Sequence, residues 1–314
     1  MKTKLILALI FSISLASQAD EKKPAPPASA PPKPNQNSNI EIIHDVEIGK
    51  GGDSILHAEI ARPKTPSEKP MPAVIWIHGG GWSGGSHKGN PAAALASKGY
   101  FTASIEYRLS GGAKWPAQIE DCKLAVRWLR ANAAKYNINP DRIGVWGSSA
   151  GGHLVACLGT MGGEAQFEGH GGYEGVSSRV QAVCDFCGPA DFNEGSSGIQ
   201  GATSERDAPG PLGLFGAPFK VKPEAWKQGS PVNYVKADAP PFLIVHGDAD
   251  KTVPHAQSEH LKAALKKAGV SVELLTVKGG GHNMSAAPGE PTAEPNAKSI
   301  AETVAIFFDK HLNK

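Results

Sequence analysis

The 314 residues include 40% hydrophobic and 20% charged side chains, enough apolar mass for a full-sized core, which excludes a disordered or fibrous polymer. A formal net charge of +2 without a clustered Lys/Arg run removes nucleic acid and other polyanions from the expected partners. Several of the 37 glycines fall in tight runs, Gly79-Gly80-Gly81 and Gly279-Gly280-Gly281, where backbone must bend sharply or approach a neighbour closely.

Lys2 and Lys4 precede an apolar stretch, Leu5 to Ala16, that is short for a bilayer span, and Ser17-Gln18-Ala19 offers small residues for cleavage before Asp20. This predicts a signal peptide over residues 1–19. A secreted or periplasmic protein with no membrane attachment after cleavage is then expected, an uncleaved anchor being the alternative. Residues 20–39 are rich in Pro, Ala, Lys and Asn and read as a disordered, Pro-rich linker. The pattern of a folded domain begins at Ile40 and continues to residue 314.

Two opening strands, Glu41 to Ile48 and Ile55 to Ala61, flank a turn with Gly49, Gly51 and Gly52. Buried strands follow at Ala73 to His78 and Phe101 to Tyr107, linked by a short helix near Pro91 to Lys98. Helical spacing of Ile119, Cys122, Val126 and Leu129 predicts a helix from Ala117 to Tyr136, broken by Asn139-Pro140-Asp141. Strands at Arg142 to Trp146, Val180 to Phe186, Phe242 to His246 and Val272 to Val277 then alternate with helices. Those helices run over Ala150 to Leu158, His255 to Lys267 and Ile300 to Leu312. Such alternation predicts an α/β fold: a mostly parallel central sheet with helices on both faces and an antiparallel hairpin only at the N-terminus.

Gly147-Ser148-Ser149-Ala150-Gly151 matches G-x-S-x-G, a pattern that a Gly-rich chain of this length yields by chance about one time in three. Gly81-Trp82-Ser83-Gly84-Gly85 is a second match, so context decides. Ser149 has a buried strand before it and an apolar helix opening at Ala150-Gly151-Gly152, the setting of a nucleophile elbow. Ser83 runs into more glycine and Pro91. Ser149 is therefore the expected nucleophile, in preference to a plain helix cap. The free amides at the start of its helix favour developing negative charge, so the Ala150 N–H is an expected oxyanion donor. His78-Gly79-Gly80-Gly81-Trp82 leaves a strand and can aim further backbone N–H groups into the site. Gly80 and Gly81 are the other expected donors. Trp82 either packs beneath this loop or lines the acyl pocket.

At this point the chain resembles the α/β-hydrolase superfamily, near the hormone-sensitive-lipase-like esterases. It is most similar to the bacterial group named for bifunctional feruloyl and acetyl-xylan esterases (BD-FAE). The resemblance rests on His78 to Trp82, Glu106-Tyr107-Arg108-Leu109, Trp115 through Trp128, Asn139 to Ile143 and Gly147 to His153. It continues through Ser230-Pro231, Pro240 to Pro254 and Gly281-His282. It implies an α/β-hydrolase fold and a serine carboxylic-ester hydrolase that works through an acyl-enzyme. His246 to Pro254 resembles the family's acid loop, where Asp250 matches the acid position and Asp248 is the runner-up. In the chain order Ser, Asp, His, the base must follow the acid, and His282 alone among the later histidines sits in a Gly-rich loop after the final strand. His78 and His246 are expected to brace their turns.

Two irregular segments, Gly159 to Ser178 and Gly195 to Gly229, are where specificity is expected. The aromatic side chains Phe215, Phe219 and Trp226 either receive substrate or only pack the second segment down. The resemblance implies short-acyl or carbohydrate-linked esters of the acetyl or feruloyl type, as small molecules or on polysaccharide. A lipase would want an extended apolar lid and a peptidase an extra domain. A non-catalytic binding protein would lack a member of the Ser, Asp, His set. No cofactor is expected, and no metal, since no H-E-x-x-H motif occurs and Cys184 and Cys187 lack further ligands at matching spacing. The four cysteines read as buried thiols, with a Cys122–Cys157 bridge left open. Nothing in the sequence specifies an oligomeric state.

Overall fold

Short runs rich in Val, Ile and Ala fold as strands because both of their faces find apolar cover. The computed structural model describes residues 39–65, 67–194 and 210–313. The expected signal peptide, almost all of the linker and residues 195–209 of the second irregular segment lie outside these described residues. The strands are β1 (Ile40–Gly51), β2 (Ser54–Pro63), β3 (Met71–Ile77), β4 (Phe101–Ile105), β5 (Ile138–Ser148), β6 (Ala182–Phe186), β7 (Phe242–Gly247) and β8 (Val272–Val277). They make one sheet in the order β1-β2-β4-β3-β5-β6-β7-β8. β2 is antiparallel to both β1 and β4, and every pairing from β4 through β8 is parallel. The fold class read from the sequence is the one observed.

Helices α1 (Ala117–Ala131), α3 (Ala150–Thr160) and α6 (Ala256–Lys267) pack on one face, with Ile119, Leu154 and Leu261 in its core. Helix α7 (Ala297–Leu312) and the 3-10 segment Pro91–Lys98 cover the other, through Phe308 and Leu95. Gly144 on β5 is required by this second layer: a Cβ there would stand 2.7 Å from the Phe308 ring.

The expected helix over 117–136 is divided. Asn132 separates α1 from a one-turn α2 (Ala133–Tyr136), its Nδ2 donating to the Trp128 carbonyl at 2.8 Å in competition with the helical ladder. Asn137 at φ 53° ends the turn, so Asn139-Pro140-Asp141, read as the breaker, instead lies inside β5. Gly49 sits at a bulge of β1, and Gly52-Asp53 makes the turn proper. The segment read as loop around residues 210–229 holds two short helices, α4 (Pro211–Phe215) and α5 (Pro223–Gln228). Each opens on proline, and α4 closes on Gly216 at φ 76°. All four cysteines are buried and free, which closes the question of a Cys122–Cys157 bridge. Among the described residues no helix is long and apolar enough to cross a membrane.

Candidate active site

β5 passes directly into α3 through Ser149, which holds φ 57° and ψ −119°, a conformation costly for any residue with a Cβ. Small neighbours make the strained turn feasible. A Cβ on Gly147 would lie 2.4 Å from the Gly151 carbonyl oxygen, and one on Gly151 would lie 2.1 Å from that of Ile77. The Ser149 N–H donates to the Phe186 carbonyl at 2.8 Å, so β6 also fixes the turn. Ser83, the competing match, is exposed, and its hydroxyl donates to the Gly80 carbonyl at 3.3 Å.

His282 Nε2 stands 2.9 Å from Ser149 Oγ, and His282 Nδ1 stands 2.7 Å from Asp250 Oδ2. The carboxylate can only accept, so Nδ1 carries the proton and Nε2 is left to accept from the serine hydroxyl. Asp250 Oδ1 accepts from the backbone N–H groups of Thr252 at 2.7 Å and Val253 at 3.0 Å. Burial opposes ionisation of Asp250, but hydrogen bonds from His246, His282 and Val253 overcome it and hold the carboxyl well below the usual carboxylate range. His246 Nε2–H is shared between the Val253 carbonyl at 3.0 Å and Asp250 Oδ2 at 3.2 Å, and its Nδ1 accepts from Ser258 at 2.6 Å. His246 therefore braces the acid loop. Asp248 is exposed and accepts from the Gly279 N–H at 2.7 Å, away from His282.

The Gly-rich loop lies against the elbow: a Cβ on Gly79 would be 2.8 Å from the Ser148 carbonyl oxygen and 3.3 Å from Ser149 Cβ. Gly80 at φ 105° and Gly81 at φ 58° curl it, with the Gly80 carbonyl accepting from the Ser83 and Gly84 N–H groups. His78 donates from Nδ1 to the Gly79 carbonyl at 2.8 Å and stacks on Tyr107 at 4.3 Å, whose hydroxyl donates to the His78 carbonyl. Glu106 joins His87 at 2.7 Å to His57 at 3.2 Å. Tyr107 thus holds the start of the loop and Glu106 the histidine beyond its end, roles the sequence alone did not disclose.

The expected substrate-contact aromatics fall differently. Trp82, Phe215 and Trp226 are 2%, 3% and 1% exposed, so three of the four serve packing in place of the contact role considered for them. Phe192, buried and not singled out in the sequence, joins Trp82, Phe215 and Trp226 through ring contacts of 5.3–6.3 Å. Trp226 Nε1 donates to the Ala217 carbonyl at 2.9 Å. Trp82 Nε1 donates to His153 Nδ1 at 3.2 Å, and His153 Nε2 donates to the Gly229 carbonyl at 2.7 Å. Burial pushes His153 down to about 4, so this neutral imidazole ties the Gly-rich loop and α3 to the end of α5. Phe219 is only partly buried, edge-on to Trp226.

Two further side chains lie near the site in positions that the sequence did not disclose. Asp185 on β6 is wholly buried; one oxygen accepts from the Gly188 N–H at 2.9 Å, and Oδ2 has no partner. Cys187, at φ 46°, donates from Sγ to the His282 carbonyl at 3.3 Å. Among the described residues, Cys187, Asp250 and His282 alone form a cluster able to share a metal ion. Their donor atoms lie within 4.8 Å of one another, and all are engaged in the hydrogen bonds above.

Comparisons with known proteins accord with this fold. The BD-FAE family model matches residues 59–265. Esterase LipC of Mycobacterium tuberculosis is 31% identical over 287 residues, covering 88% of this chain and 68% of LipC. A truncated carbohydrate esterase from gut microbiota superposes with a TM-score of 0.73 at 33% identity, covering 87% of this chain and 97% of that one. An acetyl ester-xyloside bifunctional hydrolase from Caldicellulosiruptor lactoaceticus gives a TM-score of 0.64 at 27% identity, covering 82% and 89% of the two chains.

Proposed function

The chain belongs to the BD-FAE family of α/β-hydrolase esterases, and from that premise we propose that this carboxylic-ester hydrolase is a serine esterase whose nucleophile is Ser149. The observation that carries the reading is the unbroken hydrogen-bonded line from Ser149 Oγ through His282 to Asp250. His282 Nε2 takes the hydroxyl proton as Oγ attacks the ester carbonyl, and the tetrahedral oxyanion forms beside the amides of Gly80, Gly81 and Ala150. Each such donor is worth roughly 3 kcal/mol in the transition state. Asp250 fixes the imidazole tautomer and stabilises its charged form. Collapse expels the alcohol with the proton from His282, leaving acyl-Ser149. Water activated by the same imidazole then releases the acid.

Short-acyl or carbohydrate-linked esters are the proposed substrates. The family and the structural neighbours named for carbohydrate esters support this reading. Export by the N-terminal segment is proposed from Lys2, Lys4 and the apolar run before Asp20. A panel of p-nitrophenyl acetate, butyrate and octanoate with methyl ferulate and acetylated xylan tests the assignment. Highest kcat/KM on the acetyl or feruloyl members is expected. A preference for octanoate would overturn the substrate class, and folded protein inert on all of them would overturn the esterase reading.

A further inference from the structure

Beside His282 lies a cavity of about 220 Å³, set between the ends of β5 and β6 and the first turns of α7. Trp146, Phe186, Met284 and Ile300 form its apolar walls, and His282 and Ser148 belong to its lining. Trp146 and Phe186 meet edge to face at 5.4 Å, and both remain partly exposed. The lining takes no residue from the Gly-rich loop, His78 to Gly85, which forms the oxyanion side of Ser149.

This one-sidedness has a stereochemical meaning that rests on the serine-esterase reading above. The tetrahedral carbon carries the Ser149 oxygen, the oxyanion, the acyl chain and the leaving oxygen. The oxyanion points to the amides, while the leaving oxygen must lie within hydrogen-bond reach of His282 Nε2, which returns its proton. The C–O bond to the alcohol breaks as that oxygen is protonated, and the Oγ–C bond persists. The alcohol portion is therefore the part of the ester nearest His282. We infer that the cavity is the leaving-group subsite and that it receives a sugar ring bearing the ester oxygen. Its volume, below the roughly 300–1,000 Å³ usual for drug-sized ligands, suits a single ring. The indole of Trp146 offers an aromatic surface to the C–H face of that ring, and Ser148 and Asn283 are the polar residues that line the cavity beside His282.

Ala297 and Ala301 line the cavity from α7 and are exposed, so larger side chains there can fill it without disturbing the core. The test measures two ratios of kcat/KM in the wild type, Ala301→Phe and Ala297→Phe, with thermal melts to establish folding. One ratio compares a monoacetylated methyl xyloside with methyl acetate, varying the alcohol alone. The other compares methyl butyrate with methyl acetate, varying the acyl group alone. The first ratio is expected to fall by about tenfold or more in at least one folded variant, with the second unmoved. A fall in the acyl ratio, or no change in either, overturns the subsite assignment. Ser149→Ala is assayed alongside: retained hydrolysis there would sink the underlying serine mechanism, whatever the ratios do.

Discussion

Asp248 and Asp250 share one loop, and their hydrogen-bond partners separate their duties: Asp250 holds His282, and Asp248 holds a turn. Asp250→Asn leaves the shape but cannot support the same tautomer, so kcat is expected to drop by roughly four orders of magnitude, while Asp248→Asn changes it little. Steady-state kinetics on p-nitrophenyl acetate reads both, and the reverse ranking would reassign the acid. Asp185 makes a different residue-scale prediction. Burial lifts its carboxyl to about 6, against an ordinary value of 3.8, although the Gly188 N–H pulls the other way. Between those pH values the folded protein keeps a proton that the unfolded chain has released. Its contribution to stability therefore declines as pH rises through this window and stays unfavourable above it, by of order 3 kcal/mol. Asp185→Asn removes this titration. Urea unfolding at pH 5 and pH 8 should show the variant gaining on the wild type at the higher pH, whereas a constant difference would contradict the account.

At the scale of elements, the insertion carrying α4 and α5 is held by its aromatic side chains. Trp226 packs on Phe215 at 4.8 Å and on Phe192 at 6.1 Å. Trp226→Ala is expected to cost about 3–5 kcal/mol, read as a lowered thermal midpoint, with the ordering of ester substrates preserved. Unchanged stability with altered selectivity would restore the contact role. The elbow and the alternation of strands with helices were legible in the sequence because each rests on local chemistry. A buried strand, small residues around Ser149 and an apolar helix admit few other arrangements. The aromatic side chains were not, because a Phe or Trp in an irregular segment reads the same whether it meets substrate or Phe192. Asn132 and the proline-opened turns were misread for a related reason: a side-chain bond to the Trp128 carbonyl, and helices of one turn, leave too short a periodic signal.

Across the whole molecule, the sheet brings together groups that lie far apart in the chain. The ends of β5 and β7 and the loop after β8 set Ser149, Asp250 and His282 within two hydrogen bonds, over sequence separations of 133 and 32 residues. Chain order allowed that convergence to be anticipated, since parallel strands place their carboxyl ends on one edge of the sheet. What could not be anticipated was the support beneath it. The clamps from Tyr107 to His78 and from His153 to Trp82 each join separate segments, and no single segment announces them. The central claim is that this architecture makes one hydroxyl nucleophilic. Its most direct measurement is intact-mass and peptide mapping after treatment with a fluorophosphonate. Stoichiometric labelling at Ser149, abolished in His282→Ala, is the expected result; an unlabelled folded protein, or a label on another residue, would contradict it.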